Sequence, residues 1–510
     1  IYPDGTREGN VWEFCDDVNL KVAAKPQVVY DRPEIQVFMG GVGESYVNPY
    51  IQKAVERFGW TIVIFDQQRI GNSAKFERRE ASIISPGVNI NSDNFSNIAM
   101  VIYMEQTKNY YNLSSGSRTN TSRIQIGVAF INCLTGENGI MSVNNTAAGD
   151  LSIALDEILK LLTIKNPNEL NIYLENITAE QITDEDLANS LHLFNYNYKI
   201  HRATPSTSGA SQSASGSAVD EKYHKLAYQN ALLEKVYIRY RGLLDINQQL
   251  GLDGGEHTFS RLALVLLIEF ILKHDRTILD KLEMPEVLVS SDKYLMLANN
   301  ALEQLDVLDN MQTEYKKFNN RITLLDLLDN TKTPLGKNLL RQRLSIPITE
   351  TVILEARYSQ IDELLALHRE YVSGTSDKYG SPLYQVRTKL APIRNIENYL
   401  RKVITGKIQP VEIAGYLESL EACSVIYEYM TRLSADKTGA IKSIYPSLNN
   451  AAQFQQVITL FRTALHTENL RAPVWSGVEA NPFQKGISPV LDELQAEIDN
   501  DRGFLDNLVL

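Results

Sequence analysis

A stretch of small, mostly polar residues at positions 203–219 constrains the fold of this chain more than any other feature. It reads ATPSTSGASQSASGSAV, which is typical of a flexible linker because such residues bury too little apolar surface to become ordered. Strand-like and helical stretches alternate before it, whereas helical spacing dominates after it. We therefore expect a domain boundary here, and we expect proteases to cut this stretch first.

The residues before the linker are predicted to form two small α/β domains. In the first, residues 35–39 and 60–65 are rich in β-branched and aromatic side chains and predict strands. Residues 48–58 have helical apolar spacing, which ends at Gly59. The second domain is predicted to contain strands at 98–105, 124–132 and 170–174, a turn at 135–139 and a helix at 151–162.

The residues after the linker carry apolar side chains at three- and four-residue spacing, which predicts a helical body without a fixed repeat. Helices are predicted at 223–250, 258–273, 294–308, 351–367 and 411–433.

Length, charge and cysteine usage limit the classes of protein that this chain can belong to. Its 510 residues are too many for one core and suggest about three domains. The net charge of −12 argues against a simple DNA-binding module, which is normally basic, but not against a large protein that contacts DNA with a small part. Cys15, Cys133 and Cys423 are far apart, so neither a zinc site nor a disulfide framework is predicted.

No motif for enzymatic chemistry is present in the sequence. It contains no GxSxG, HExxH or GxxxxGK[ST] pattern. The acidic run at 184–186 is most simply a solvated helix start. We therefore expect no catalytic residue, no metal site and no ATPase activity in these residues, and a function in binding, mechanics or assembly.

One continuous segment resembles the core of the MutS family of DNA mismatch-recognition proteins. Residues 322–348 read ITLLDLLDNTKTPLGKNLLRQRLSIPI, and the family pattern there is approximately LLDxLDxTxTxxGxRLLRxWLxxPL. Read from the residues alone, threonines 331 and 333 ahead of Pro334 and Gly336 predict a capped helix entry in a structural junction.

Other segments resemble the same family in the same order. Residues 39–42 and 60–67 are similar to its mismatch-binding domain, and residues 77–87 to the exit from that domain. Residues 127–137 resemble the first hairpin of its connector domain. Residues 297–305 and 486–505 resemble lever segments. The similarity covers nearly all 510 residues and is greatest with the branch of giant viruses and octocoral mitochondria.

The resemblance implies a multidomain fold, with two small α/β domains followed by a large all-α lever and core domain. The mismatch-binding domain is expected at 1–92, an RNase H-like connector at 93–202, the linker at 203–219 and the helical domain at 220–510. We expect the chain to be an N-terminal fragment that lacks the clamp tip, the descending lever and the ATPase.

The resemblance also implies the ligands and partners of the full-length parent. The parent is expected to be a DNA-dependent ATPase that uses ATP and Mg²⁺. No cofactor is expected in this fragment. The expected partners are mismatched double-stranded DNA, a second subunit in a homodimer or heterodimer, and a MutL-like protein. No membrane association is expected, and the expected location is intracellular, in a nucleus, mitochondrion or viral factory.

The family reads mismatches with an aromatic wedge and a glutamate in a GDFYEL motif, and the matching residues here are 9–14, GNVWEF. Glu13 aligns with the family glutamate and Val11 with the wedge, while Trp12 is an alternative wedge if the register differs by one. A ring that stacks on an unpaired base kinks the duplex in the minor groove. Lys75, Arg78 and Arg79 are expected phosphate contacts.

Two other function classes remain open at this stage. Because Val11 cannot stack as a ring does, the chain could instead clamp branched or recombining DNA without reading mismatches. The acidic charge would also suit a purely structural helical scaffold.

Overall fold

The computed structural model describes most of the chain in sixteen stretches. These are residues 9–29, 32–43, 46–69, 76–91, 96–112, 118–144, 151–178, 181–202, 218–242, 244–288, 293–295, 301–308, 322–375, 380–436, 451–471 and 481–509. All but two residues of the predicted linker at 203–219 lie outside these stretches, and so does Lys75. Within them, none of the helices is both long enough and apolar enough to cross a membrane.

The chain divides into two compact units, one with mixed α/β structure and one that is largely helical. The first comprises Ile1–Ser291 and Asn310–Asn320, and the second comprises Asp292–Asp309 and Arg321–Leu510. The coarse prediction of a multidomain chain with an α/β part followed by helices is thus confirmed.

The first unit begins with two antiparallel strand pairs and two helices. In chain order these are α1 (Val11–Val18), β1 (Val22–Val29), β2 (Arg32–Gly40), α2 (Val47–Phe58), β3 (Ile62–Arg69) and β4 (Phe76–Ile84). β1 pairs with β2, and β3 pairs with β4. The predicted helix at 48–58 is confirmed together with its end at Gly59, whose φ of 69° lies in the left-handed region that favours glycine.

A six-stranded sheet follows, with the order β10-β7-β6-β5-β8-β9. Its strands are β5 (Ile98–Asn112), β6 (Arg118–Asn132), β7 (Asn138–Asn144), β8 (Glu169–Glu175), β9 (Asn197–Arg202) and β10 (Glu286–Leu288). β5, β6 and β7 pair antiparallel with one another. β8 pairs parallel with β5, β9 pairs parallel with β8, and β10 pairs parallel with β7. The predicted strands at 98–105, 124–132 and 170–174 are confirmed.

Both faces of this sheet are buried, and the side chains of β5 alternate between two cores. Met100 and Ile102 join the core formed with α3 (Ser152–Lys165) and α4 (Asp184–Ser190). Val101 and Tyr103 point into the opposite core. This two-residue alternation is the geometry of a strand whose two faces are both covered.

Helices that follow the predicted linker cover the second face. α5 (Leu226–Val236) and α7 (Thr258–His274) contribute to that core, and α6 (Ile246–Gln249) comes between them in the sequence. A Cβ atom on Gly127 of β6 would lie 2.1 Å from the backbone carbon of Phe259, so only glycine permits this approach. The predicted division assigns these helices to the domain at 220–510, whereas the structure groups them with the sheet.

The second unit contains the remaining helices. They are α8 (Ala301–Gln304), α9 (Leu324–Leu328), α10 (Pro334–Ser345), α11 (Thr351–Thr375), α12 (Pro382–Leu390), α13 (Ile396–Ile404), α14 (Pro410–Asp436), α15 (Ala451–Ala464) and α16 (Pro489–Val509). Its core cluster consists of Tyr416, Leu417, Leu420 and Ile458.

The family-like segment at 322–348 is a pair of capped helices. Thr323 and Asp326 form a reciprocal capping box at the start of α9. The hydroxyl of Thr333 accepts a 3.0 Å hydrogen bond from the Gly336 amide at the start of α10, and Pro334 occupies the first turn. The predicted capped entry is therefore confirmed.

Candidate nucleic-acid interface

The three residues expected to read DNA lie together in the first turn of α1. Val11, Trp12 and Glu13 follow the N-cap residue Asn10. A negative charge at the position of Glu13 interacts favourably with the partial positive charge of a helix N-terminus. The Glu13 side chain is exposed, whereas the Val11 and Trp12 side chains are half-buried.

Trp12 packs against β2. The centroid of its ring lies 4.6 Å from that of Phe38, and the two ring planes are tilted by 52°. An aromatic pair of this kind stabilises the position of both rings beyond the effect of area burial alone. To act as the wedge, Trp12 would have to insert an edge of its ring that does not contact Phe38.

Val11 shares a helix face with the two most buried residues of α1. Cys15 and Val18 follow Val11 by four and seven residues, and their exposed fractions are 1% and 2%. Burial and the neighbouring carboxylate of Asp16 raise the pKa of the Cys15 thiol. Val11 is thus the half-buried first residue of this apolar face.

The position of α1 depends on Gly40 at the end of β2. A Cβ atom at Gly40 would lie 2.3 Å from the Cys15 sulfur, so the absence of a side chain allows the helix and strand to meet. On its other side, α1 is held by Trp60, whose indole nitrogen donates a 2.7 Å hydrogen bond to Asp17. The family-like residues 39–42 and 60–67 thus supply the contacts that hold α1.

The expected phosphate contacts lie on a different strand pair. Arg78 is exposed on β4, where it is paired in register with Gln67 of β3. Arg79 is the next residue of β4, and its backbone is opposite Asp66. The structure therefore brings Val11, Trp12 and Glu13 together and places Arg78 and Arg79 at consecutive positions of a strand in a separate two-stranded sheet.

A contact that sequence analysis did not identify joins this region to the six-stranded sheet. The Glu169 carboxylate at the start of β8 accepts a 2.6 Å hydrogen bond from the Ser85 hydroxyl and a 3.0 Å bond from the Gly87 amide. Ser85 is fully buried. Residues 85–87 belong to the family-like exit at 77–87, but nothing local to them indicated a partner more than 80 residues away.

Comparison with known proteins relates these features to one family. The family described as MutS domain III matches residues 300–500. A putative DNA mismatch repair protein, a mutS homolog of Acanthamoeba polyphaga mimivirus, is 25% identical over 452 residues, which are 86% of this chain and 37% of the relative.

Two bacterial proteins named DNA mismatch repair protein MutS extend the similarity. The protein of Flavobacterium johnsoniae is 24% identical over 93% of this chain and 45% of its own length. The protein of Christiangramia forsetii is 26% identical over 100% of this chain and 49% of its own length. The chain thus spans less than half the length of these relatives. The match over residues 300–500, together with relatives that align across both units, shows that this chain is similar to MutS proteins along most of its length.

Proposed function

We propose that this chain binds mismatched double-stranded DNA as part of a mismatch repair protein. The observation that carries the proposal is the family match over residues 300–500, continued by alignments that run through the α/β residues ahead of it. In this assignment, residues 1–92 contact the mismatch, residues 93–202 are the RNase H-like connector and residues 220–510 are the helical core and lever. The five strands β7-β6-β5-β8-β9 all lie between residues 98 and 202, which supports a separate α/β connector there.

Within α1, we assign Val11 to the minor groove as a small apolar wedge and Glu13 as the acceptor for the displaced base. The exposed side of the helix supports the role of Glu13, whose carboxylate would also repel phosphates and so weaken binding to matched duplex. Arg78 and Arg79 would contact phosphates, which position the protein without reading sequence. Lys75 is assigned the same role.

ATP and Mg²⁺ belong to this proposal as ligands of the whole protein. The 510 residues contain no phosphate-binding GxxxxGK[ST] motif. The described stretches contain no group of three or more His, Cys, Asp or Glu residues placed to hold a metal ion. No residue of this chain is therefore assigned to ATP, and the proposed coupling would run through the helical unit. A second subunit and a MutL-like partner are proposed on the family relationship alone.

A second function is favoured by Val11 itself. Stacking of an aromatic ring on a base contributes about 1–3 kcal/mol to binding, and valine provides only part of this. If the first domain does not distinguish mispairs, clamping of branched DNA would become the better description of the protein.

The proposal is tested by titrating the purified protein with a single-mispair duplex, its matched control and a four-way junction at one stated salt concentration. We expect mismatch preference in the wild type, roughly tenfold below that of a relative with phenylalanine at this position. Val11→Phe should recover part of the difference. A protein that prefers the junction and binds both duplexes equally would refute mismatch reading.

Variants of the neighbouring residues identify the wedge. Trp12→Ala should leave the mismatch preference largely in place if Val11 is the wedge, and Trp12→Phe, which keeps a ring against Phe38, serves as its packing control. Loss of preference in Trp12→Ala, with no effect of Val11→Phe, would assign the role to Trp12 instead.

Glu13→Ala should raise binding to matched duplex because it removes a negative charge that faces phosphate. Asp16→Ala, an exposed carboxylate one turn later on the same helix, is the matched control. Equal effects of the two substitutions would show that only bulk charge matters and would contradict the role of Glu13.

A further inference from the structure

The segment that leaves the first strand pairs is anchored at the amino end of β8 in the six-stranded sheet. β4 ends at Ile84, and the chain turns at residues 85–88, where the Val88 amide donates a 3.1 Å hydrogen bond to the Ser85 carbonyl. Val88 and Ile90 are then buried, with 2% and 4% of their surfaces exposed. The turn is thus part of the interior and not a surface connection.

One carboxylate oxygen holds this turn. Oε2 of Glu169 accepts hydrogen bonds from both the Ser85 hydroxyl and the Gly87 amide, at 2.6 and 3.0 Å. Hydrogen bonds to an ionised acceptor are about twice as strong as those between neutral groups. The backbone of Glu169 is also held in the sheet, because this residue begins β8 and pairs with Ala99 of β5 and Asn197 of β9.

The fit is steric as well as polar. A Cβ atom on Gly87 would lie 2.5 Å from the Cβ of Glu169 and 3.2 Å from the Cα of Ala99. The Gly87 carbonyl in turn accepts a 3.1 Å hydrogen bond from the buried Cys133 thiol. The turn is therefore held on both sides, and the Glu169 carboxylate is its only charged partner among the contacts described.

A second contact lies near the same strand ends. A Cβ atom on Gly59, at the end of α2, would lie 2.4 Å from the side-chain oxygen of Asn197, which is the register partner of Glu169. The Gln52 side chain of α2 donates a 2.7 Å hydrogen bond to the Asn91 carbonyl. The α1–β4 region thus meets the sheet around the amino end of β8.

We propose that Glu169 is a positioning residue: it fixes the orientation of the α1–β4 region on the six-stranded sheet, and mismatch discrimination depends on that orientation. This inference rests on the proposed function for its DNA part. The latch itself, defined as Glu169 with Ser85 and Gly87, can be tested without DNA.

The first test is amide hydrogen exchange of the intact protein. Glu169→Ala should speed exchange of the amides at 85–91 by roughly tenfold or more, since it removes two hydrogen bonds to a charged acceptor. Exchange in β5 should stay unchanged, which a general loss of stability would not allow. Glu185→Ala, which removes an exposed glutamate of α4, is the control. Unchanged exchange at 85–91 in Glu169→Ala would overturn the inference.

Two milder variants keep the test decisive if Glu169→Ala does not fold. Glu169→Gln retains an oxygen that accepts hydrogen bonds and should restore most of the protection. Ser85→Ala removes only the hydroxyl donor and should speed exchange at 85–91 by about threefold. Wild-type exchange at 85–91 in Ser85→Ala would show that the hydrogen bond to the Glu169 carboxylate does not hold the turn.

The second test measures binding to mispaired and matched duplex. Glu169→Ala should lower the ratio of the two affinities about threefold or more, and Glu169→Gln should bring it back, although neither residue 169 nor the turn touches the proposed wedge. If Glu169→Ala speeds exchange at 85–91 but leaves the ratio of the two affinities unchanged, the positioning role is refuted. If the wild type shows no mismatch preference, the proposed function fails, and the exchange result alone decides whether the latch exists.

Discussion

The sheet of the first unit and the helices of the second bury their apolar residues to very different extents. In the sheet, successive side chains of β5 enter two separate cores, and Val101 and Ile102 are both fully buried. In the second unit, α10 has no buried residue. Leu327 and Val352 expose 70% and 74% of their surfaces.

This difference shows where stability resides. A sheet covered on both faces completes its own core, whereas a helix gains most of its stability from the apolar face that it packs against neighbours. In the described part of the second unit, α13, α14 and α15 pack around a small cluster at Tyr416 and Leu420. We therefore expect the first unit to be the more sensitive to truncation of its apolar side chains.

The sharpest test compares two aliphatic truncations. Ile102→Ala should lower the free energy of unfolding of the first unit by about 2–5 kcal/mol, because a cavity forms between sheet and helices. Leu327→Ala should change the stability of the second unit by less than about 0.5 kcal/mol. Denaturant unfolding monitored separately in each unit measures both values. Comparable losses of stability in the two variants would contradict the expectation that the first unit is the more sensitive.

A smaller effect is expected where a helix lies directly on the sheet. Gly127→Ala adds a methyl group at the backbone of Phe259 and should cost about 1–3 kcal/mol, because α7 must shift away from β6. Gly255→Ala is the control, since nothing lies within 4 Å of a Cβ atom at that position. Equal unfolding midpoints for the two variants would mean that α7 does not pack tightly against β6.

The smallest effect tests local stability in the second unit. Thr333→Ala removes the side-chain cap of α10 and should lower stability by about 1 kcal/mol. Thr388→Ala is the control, because that hydroxyl bonds only the Tyr384 carbonyl of its own helix. If both variants unfold at the same denaturant concentration, the cap does not stabilise this unit.

Local patterns predicted the elements well wherever a short-range signal defines them. The helix ending at Gly59, the strands at 98–105 and 124–132, and the capped entry at Thr333 depend on residues within a few positions of one another. The predicted helix at 223–250 was wrong in its continuity. The structure has α5, short 3-10 turns and α6 there, with a new N-cap at Asp245.

The candidate site was predictable only as far as the family motif reaches. The motif at 9–14 singled out Val11, Trp12 and Glu13, and the structure places them on one helical turn and packs Trp12 on Phe38. Roles of Val11, Glu13, Lys75, Arg78 and Arg79 in DNA binding remain predictions. Local periodicity contains no information on which ring Trp12 would meet, because the two residues are 26 positions apart in different elements.

From its amino-acid sequence alone, this protein could be related to the MutS family, divided into α/β and helical parts, and given most of its strands and helix caps. These properties follow from hydrophobic periodicity, turn chemistry and motif order, all of which depend on residues close together in the sequence or on their order. Only the tertiary structure decided that α5 and α7 cover the sheet, that residues 286–288 add a sixth strand beside β7, and that Glu169 holds Ser85 and Gly87. Each of these depends on contacts between residues tens to more than a hundred positions apart, whose partners are chosen by burial and steric fit in three dimensions.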